Sequence, residues 1–161
     1  ASEISFMLSE ENESIGIGGN VPKLETPDEN LSTYRALSKS IRSGLVKTSH
    51  DCSEGGVAVA IAEMCIGGRI GAIIDVDGTG DDSLWARLWG ESLGRFIVGV
   101  KPENEADWLK SMSGHGITYL GETIQQENLI IRDGFDDIIN LKVSEMVDSW
   151  QNTLDMTGSG N

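Results

Sequence analysis

Apolar residues recur at three- and four-residue spacing after Pro27, at Leu31, Tyr34, Leu37, Ile41 and Leu45. This spacing predicts an amphipathic helix that carries the acidic pair Asp28 and Glu29 at its positive end and ends near Gly44. A second run, at residues 57–64, is apolar almost throughout and rich in alanine. It predicts a helix that is buried on most of its circumference.

Shorter apolar runs bounded by glycine or polar clusters predict strands. They lie at residues 4–8, 46–49, 71–76, 95–100, 117–120 and 129–132. Further helices are predicted at residues 84–89, 106–112 and 144–154. Asp82 or Ser83 can cap the first of these helices, and Ser144 can cap the last.

Because strands alternate with helices, the pattern predicts an α+β fold with α/β layering, in which helices cover a mixed β-sheet. The length of 161 residues is sufficient for one hydrophobic core. We therefore expect a single domain over residues 1–156 and a disordered tail at residues 157–161. The polar, glycine-rich residues 9–20 predict a loop, and the cluster at residues 77–80 predicts a turn.

Composition and charge narrow the classes of function. The chain has 39% apolar and 24% charged residues, which is typical of a globular protein. It has neither an apolar run of about 18 residues nor a secretory signal, so we expect no membrane association and a cytoplasmic location. The net charge of −14 would repel a polyanion, so nucleic acid is not an expected partner.

The titratable residues form no known catalytic pattern. The two histidines and two cysteines lack metal-ligand spacing, and no Ser-His-Asp, Cys-His or HExxH arrangement can be built from the sequence. No catalytic residue and no metal site are therefore predicted in this chain. Cys52 and Cys65 are interpreted as reduced packing residues, and His115, which lies between two glycines, as a solvated residue of a surface turn.

The segment at residues 50–56 is the sharpest candidate for contact with a ligand. Its candidate site residues are His50, Asp51, Ser53, Glu54, Gly55 and Gly56. A strand that turns through this segment into the helix at residues 57–64 would present backbone N–H groups at a helix N-terminus, where anions are favoured. The paired glycines would let a phosphate approach closely. A structural role, with Ser53 or Asp51 capping the helix, explains the segment about as well.

A second candidate is the turn at residues 90–95, in which Glu91 and Arg95 bracket a glycine. Arg95 could bind a phosphate through two hydrogen bonds. The alternative is an ion pair between Arg95 and Glu91 that holds the turn, and we give this alternative more weight.

The sequence over residues 49–64, SHDCSEGGVAVAIAEM, closely resembles a stretch in the last domain of the phosphoribosylformylglycinamidine synthase family, His-Asp-Val-Ser-Glu/Asp-Gly-Gly-Leu-Ala-Val-Ala. Pieces at residues 18–22, 88–92, 95–98 and 120–122 follow in the family's order. Leu93 departs from the pattern, because the family carries Gln at this position. The resemblance spans roughly residues 4–154.

The resemblance implies the C-terminal domain of the aminoimidazole ribonucleotide synthetase-like fold. It also implies a C–N ligase of purine biosynthesis that uses glutamine as the amide donor. The ligase converts formylglycinamide ribonucleotide, glutamine-derived ammonia and ATP to the amidine, ADP and phosphate. ATP and Mg²⁺ would be cofactors of the full-length enzyme, and none would be required by this domain alone. The implied partners are N-terminal-type domains of the same chain, a glutaminase subunit, a small bridging subunit and the ribonucleotide substrate.

In that family the catalytic histidine and most ATP and Mg²⁺ ligands belong to N-terminal-type domains, so this chain alone is expected to be inactive. The six candidates in residues 50–56, together with Arg95, are then expected to form one wall of a nucleotide-bearing cleft. Two alternatives stay open. One is a domain of another ATP-dependent superfamily member, for hydrogenase maturation or selenophosphate synthesis, and the other is a non-catalytic domain whose glycine loops shape an interface.

Overall fold

The computed structural model describes Ile4, Met7, Leu8, residues 27–80 and residues 83–152. The chain divides into two compact units. Unit 1 comprises Ala1–Ala60 and Trp89–Thr118, and unit 2 comprises Ile61–Leu88 and Tyr119–Asn161. In order, the elements are α1 (Pro27–Arg42), β1 (Val46–Asp51), α2 (Gly56–Gly68), β2 (Gly71–Asp75), α3 (Leu84–Trp89), β3 (Phe96–Val100), a 3-10 turn (Pro102–Asn104), α4 (Glu105–Ser111), β4 (Gly121–Ile124), β5 (Asn128–Asp133), β6 (Asp136–Lys142) and α5 (Val143–Asn152).

Unit 1 contains a two-stranded antiparallel sheet formed by β1 and β3. Two strands bury little apolar surface by themselves, so this ladder depends on the helices of its unit. The buried side chains Leu37 of α1, Val46 of β1, Trp108 of α4 and Met112 form one core cluster. The core of unit 1 is thus built from residues that the sequence pattern had placed on predicted helix and strand faces.

Helix α1 and helix α4 are also joined by a buried polar contact. Ser40 is almost completely buried, and its hydroxyl donates to the Ala36 carbonyl at 3.0 Å and lies 2.8 Å from the Ser111 hydroxyl. The Ser111 hydroxyl also lies 2.8 Å from the Trp108 carbonyl, and its one proton is shared between this carbonyl and the Ser40 hydroxyl. Because both hydroxyls have partners, the polar pair adds specificity to the core.

Unit 2 contains a four-stranded sheet in the order β4-β2-β5-β6. The β2 and β5 strands are parallel, and the other two pairings are antiparallel, so the sheet is mixed. Leu129 and Ile131 of β5 are fully buried, as expected for the middle of a sheet. Helix α5 buries Val143, Met146 and Val147, which recur at helical spacing.

The prediction of an α+β fold with a mixed sheet is confirmed, and the strands form two sheets. The predicted burial of the helix at residues 57–64 is also confirmed. Val57, Ala58, Ala60 and Ile61 are each at most 5% exposed, and Cys65 is buried as well. Helix α2 is therefore among the most buried elements that the structure describes.

Several predictions about strands were wrong. Ile4, Met7 and Leu8 are helical, although residues 4–8 were predicted to form a strand. Residues 117–120 are irregular, and β4 begins only at Gly121. The β6 strand was not predicted at all. Its neighbouring pair Ile138 and Ile139 interrupts the alternation of apolar and polar residues that marks a half-buried strand.

Some predictions lie outside the described residues. These are the loop at residues 9–20, the motif pieces at residues 18–22, the cap at Asp82, the end of the last helix at Leu154 and the tail at residues 157–161. The extent of a single domain over residues 1–156 stays a prediction.

Candidate functional site

The ladder between β1 and β3 brings the two candidate segments together at one end of unit 1. Asp51, the last residue of β1, pairs with Phe96, the first residue of β3. One step further, the Cys52 N–H donates to the Arg95 carbonyl at 3.0 Å. The segment at residues 50–56 and the turn at residues 90–95 therefore lie side by side, although the sequence offered no sign of their proximity.

Between these segments lies an open cavity of about 570 Å³, which we call the unit 1 groove. It is lined by Tyr34, Ser49, His50, Asp51, Cys52, Ser53, Glu91, Leu93, Gly94, Arg95 and Phe96. Four predicted site residues are thus brought together in the groove: His50, Asp51, Ser53 and Arg95. Tyr34 and Phe96 contribute an edge-to-face ring pair, with centroids 5.5 Å apart.

The other three predicted site residues, Glu54, Gly55 and Gly56, do not line the unit 1 groove. Glu54 is exposed, whereas both glycines are buried at the start of α2. Gly55 has a φ of +75°, and a Cβ placed on it would lie 2.7 Å from the Cβ of Val59. Glycine is therefore required here by backbone conformation and by the space beside α2.

The N-terminus of α2 is held by a carboxylate that the sequence did not assign to it. The Gly55 N–H donates to Oε1 of Glu91 at 2.9 Å, and the Gly56 N–H donates to the Ser53 carbonyl at 3.1 Å. The Arg95 guanidinium donates to the Gly90 carbonyl across the turn. Glu91 thus closes the helix end for which the sequence suggested Ser53 or Asp51, and Arg95 braces its own turn through a backbone carbonyl.

The charges at the unit 1 groove do not favour a polyanion. Asp51 and Glu91 face the groove with one guanidinium, that of Arg95. His50 is partly buried, and its Nδ1 donates to the Asp51 carbonyl at 2.7 Å. Cations from outside the described lining would be required to neutralise several phosphates here.

Both cysteines are buried, which confirms their interpretation as packing residues. Burial raises the pKa of the Cys52 thiol, an effect that Arg95 partly offsets and Asp51 reinforces. Burial also raises the pKa of the Cys65 thiol. Since the thiolate is the nucleophile, neither cysteine is suited to chemistry at neutral pH.

Unit 2 has its own open cavity, of about 470 Å³, which we call the unit 2 groove. Its lining is more polar and includes Asp75, Asp77, Glu122 and Arg132. Oδ1 of Asp75 accepts the Asp77 N–H at 2.9 Å and the Gly134 N–H at 3.1 Å. These two bonds are the main reason that the pKa of the Asp75 carboxyl lies below its usual range.

A buried arginine completes the framework beside the unit 2 groove. Arg87 has a side chain that is only 12% exposed, and Nη1 lies 3.2 Å from Oδ1 of Asp77 and 2.9 Å from Oδ1 of Asp133. Among the described residues, no group of three or more His, Cys, Asp or Glu side chains is placed to hold a metal ion. Asp77 and Asp133 are partners of Arg87, and Asp75 is a partner of backbone N–H groups.

The interpretation of His115 as merely solvated was wrong. Its Nδ1 lies 2.9 Å from the Thr33 hydroxyl of α1, and the ring is partly buried. His115 therefore fastens the turn after α4 to α1.

Residues 2–134 match the family model described as AIR synthase related protein, C-terminal domain. The chain belongs to this family. The resemblance noted in the sequence is also confirmed by curated relatives named phosphoribosylformylglycinamidine synthase subunit PurL. The chain is 33% identical to the Synechocystis protein over 142 residues and 32% identical to the Thermobifida fusca protein over 144 residues.

Each of these alignments covers 86% of this chain, but only 18% and 17% of the respective relatives. The chain therefore spans less than a fifth of the length of the curated relatives that it matches. Among solved structures, that of PurLQS from Thermotoga maritima has a TM-score of 0.67 at 23% identity and covers 86% of this chain and 24% of that chain. T. maritima PurL complexed with ATP has a TM-score of 0.63 at 24% identity and covers 70% of this chain and 20% of that chain. These likenesses establish a shared fold.

Within the ranges that the structure describes, no helix combines the length and the apolar character needed to cross a membrane.

Proposed function

We propose that this chain is the C-terminal-type domain of a phosphoribosylformylglycinamidine synthase that acts in the cytoplasm. The observation that carries the proposal is the 33% identity to PurL over 86% of the chain. The PurL relatives favour this function over the rival superfamily functions, in hydrogenase maturation and selenophosphate synthesis.

The proposed reaction of the full-length enzyme is the formation of an amidine from an amide. ATP supplies a phosphoryl group that activates the amide oxygen of formylglycinamide ribonucleotide, and ammonia released from glutamine displaces that oxygen. The products are the amidine, ADP and phosphate. N-terminal-type domains of the same enzyme, a glutaminase subunit and a small bridging subunit are the proposed partners, and the name PurLQS of one structural neighbour is consistent with such an assembly.

The unit 1 groove is the part of this chain that we assign to the nucleotide-bearing cleft. His50, Asp51, Ser53 and Arg95 would form its polar wall, and Phe96 would offer an apolar surface beside them. Ser53 is exposed and can reorient its hydroxyl toward a ligand. Glu54, Gly55 and Gly56 would support this wall from the start of α2 rather than contact the ligand.

The described residues supply few groups that could bind the implied cofactors, ATP and Mg²⁺. No metal-ligand cluster is found among them, so Mg²⁺ would be bound by residues outside the described part of this chain. The unit 1 groove carries two carboxylates and one guanidinium, so the phosphates of ATP would also need cations supplied by another domain. The chain would thus bind, orient and shield a ligand, and the reacting groups would lie elsewhere.

A segment exchange tests this proposal. The corresponding segment of the Synechocystis PurL protein would be replaced by this chain, and the hybrid expressed in a bacterium that lacks its own enzyme. We expect growth without added purine. A hybrid that is expressed at the level of the parent enzyme, melts cooperatively and yet supports no growth would contradict the proposal.

The isolated chain provides the complementary measurement. It should fold but neither hydrolyse ATP nor form the amidine, because no nucleophile or metal-ligand constellation is found in its described residues. The proposal would be contradicted by turnover that purifies together with the chain and is absent from an inactivated sample of the chain. The chain would then carry more of the chemistry than we propose.

A further inference from the structure

A charged hydrogen bond to Glu91 links the two segments of the unit 1 groove. The Glu91 carboxylate accepts the Gly55 N–H at 2.9 Å, just before the first residue of α2. Helix α2 has 13 residues and no acidic residue of its own in its first turn. A carboxylate at this place interacts favourably with the partial positive charge of the helix N-terminus.

The backbone conformation and the packing of Gly55 hold its hydrogen bond to Glu91 in a fixed position. Gly55 is buried, its φ of +75° is accessible mainly to glycine, and the side chain of Val59 fills the space beside it. Glu91 itself belongs to the turn that Arg95 braces through the Gly90 carbonyl. Both partners of the hydrogen bond are therefore held in place by their own local structure.

We infer that Glu91 is the built-in anion of helix α2 and the positioning residue of the unit 1 groove. Its carboxylate occupies the position at the helix N-terminus that the sequence pattern offers to a phosphate. That the groove binds an anionic ligand rests on the proposed function. Such a ligand is therefore bound away from Gly55 and Gly56. These two glycines allow the loop at residues 50–56 to contact the turn at residues 90–95 closely. They do not serve to admit a phosphate.

The chemistry of the groove agrees with this assignment. A phosphate placed at the Gly55 N–H would displace Glu91 or share the site with its negative charge, and like charges at this distance repel strongly. With Glu91 in place, a ligand phosphate meets a neutralised helix end, and the Arg95 side of the groove is the less unfavourable position. Glu91 thus determines where in the groove negative charge is accepted.

The first test compares Glu91→Ala with Glu54→Gln in the purified chain. Glu54→Gln is the matched control, because it removes a charge next to the same helix end from an exposed residue. We expect Glu91→Ala to lower the melting temperature by about 5 °C, as a charged hydrogen bond in a chain of this size would, and Glu54→Gln to change it by less than about 1 °C.

Inorganic phosphate is then the probe of the vacated position. In sodium phosphate, compared with sodium chloride of equal ionic strength, Glu91→Ala should recover about half of the lost melting temperature, whereas the unsubstituted chain should not respond. Two results would overturn the inference: a melting temperature of Glu91→Ala equal to that of the unsubstituted chain, or equal stabilisation of both proteins by phosphate.

If Glu91→Ala does not fold, NMR of the unsubstituted chain and of Glu91→Gln decides the question. The Gly55 amide proton signal of the unsubstituted chain should lie downfield of its position in Glu91→Gln, because a charged acceptor forms the stronger hydrogen bond. Equal positions of this signal in the two proteins would overturn the inference. None of these measurements depends on activity, so failure of the segment exchange and failure of the Glu91 assignment are distinguishable.

Discussion

The two grooves of this protein hold their loops with carboxylates in different ways. At the unit 1 groove, one carboxylate, that of Glu91, accepts a backbone N–H at a helix end. At the unit 2 groove, Asp75 accepts two backbone N–H groups, and Arg87 joins two further carboxylates. The second region therefore joins several carboxylates through a shared arginine, whereas in the first a carboxylate meets the N-terminus of a helix and the loop packs closely against Val59.

The side chains left facing solvent differ as well. Leu93 is 62% exposed and Phe96 is 38% exposed, and both line the unit 1 groove beside the partly exposed Arg95. In unit 2, the charged side chains of Asp75, Arg87 and Arg132 have partners within the unit. The comparison teaches that acidic clusters alone do not identify a ligand site, and the exposed apolar surface favours the unit 1 groove for the proposed ligand.

The largest expected effect comes from crowding the loop before α2. Gly55→Ala should lower the free energy of unfolding by about 3–4 kcal/mol, because an alanine there combines an unfavourable φ with overlap against Val59. Gly44→Ala is the matched control, since Gly44 has a φ of +78° and open space around its Cβ position. It should cost only about 1 kcal/mol in the same urea titration. Equal losses would show that packing against Val59 is not what requires Gly55.

Breaking the charge network of unit 2 should have the next largest effect. Arg87→Ala should lower the free energy of unfolding by about 2–3 kcal/mol, because it leaves Asp77 and Asp133 without their shared, largely buried partner. Arg132→Ala removes an exposed ion pair with Asp137 and should cost less than about 1 kcal/mol. Chemical unfolding of both variants would measure the difference, and similar losses would refute a special role for the buried arginine.

The assignment of the ligand cleft to unit 1 can be sharpened in the full-length enzyme. Arg95→Ala should lower kcat/KM by about tenfold or more, because Arg95 is the guanidinium at the unit 1 groove. Arg132→Ala, which alters the unit 2 groove, should leave kcat/KM within about twofold. Thermal melts of both variants would separate binding from folding. A larger loss for Arg132→Ala would reverse the comparison.

The smallest expected effect is on the pH dependence of stability. Hydrogen bonds from the Asp77 and Gly134 N–H groups hold the pKa of the Asp75 carboxyl below its usual range. A carboxyl whose pKa is lower in the folded state contributes stability above its unfolded pKa, and this contribution is lost as the pH falls below about 4. Asp75→Asn should therefore flatten the acid side of the profile of melting temperature against pH. An unchanged profile would mean that Asp75 does not contribute to acid unfolding.

Much of the fold could be predicted from the sequence because its signals are local. The spacing of apolar residues predicted α1 and α2, and Gly44 ends the first helix region with the positive φ expected of such a residue. The apolar runs in β2 and β5 predicted buried strands. Each of these predictions depends on periodicity within about twenty residues, which is the range over which a helix or strand expresses its pattern.

The pairing of the strands could not be predicted from local sequence patterns. The parallel pairing of β2 with β5 joins Ala72 to Leu129. The β5 and β6 strands form a hairpin that closes from Asp133 to Asp136. The Asp133-Gly134 dipeptide is a turn signal that could have indicated this hairpin and hence β6. Which strands then share a sheet depends on competing long-range contacts, and local composition does not encode that choice.

The candidate site shows the same division more sharply. The sequence by itself determined that residues 50–56 form a strand-to-helix turn with glycines and that Glu91 and Arg95 lie in another turn. Only the tertiary structure decided that Glu91, 36 residues away, supplies the anion for the start of α2. The reason is physical: a helix N-terminus attracts any suitably placed negative charge, and the placement here follows from the ladder between β1 and β3.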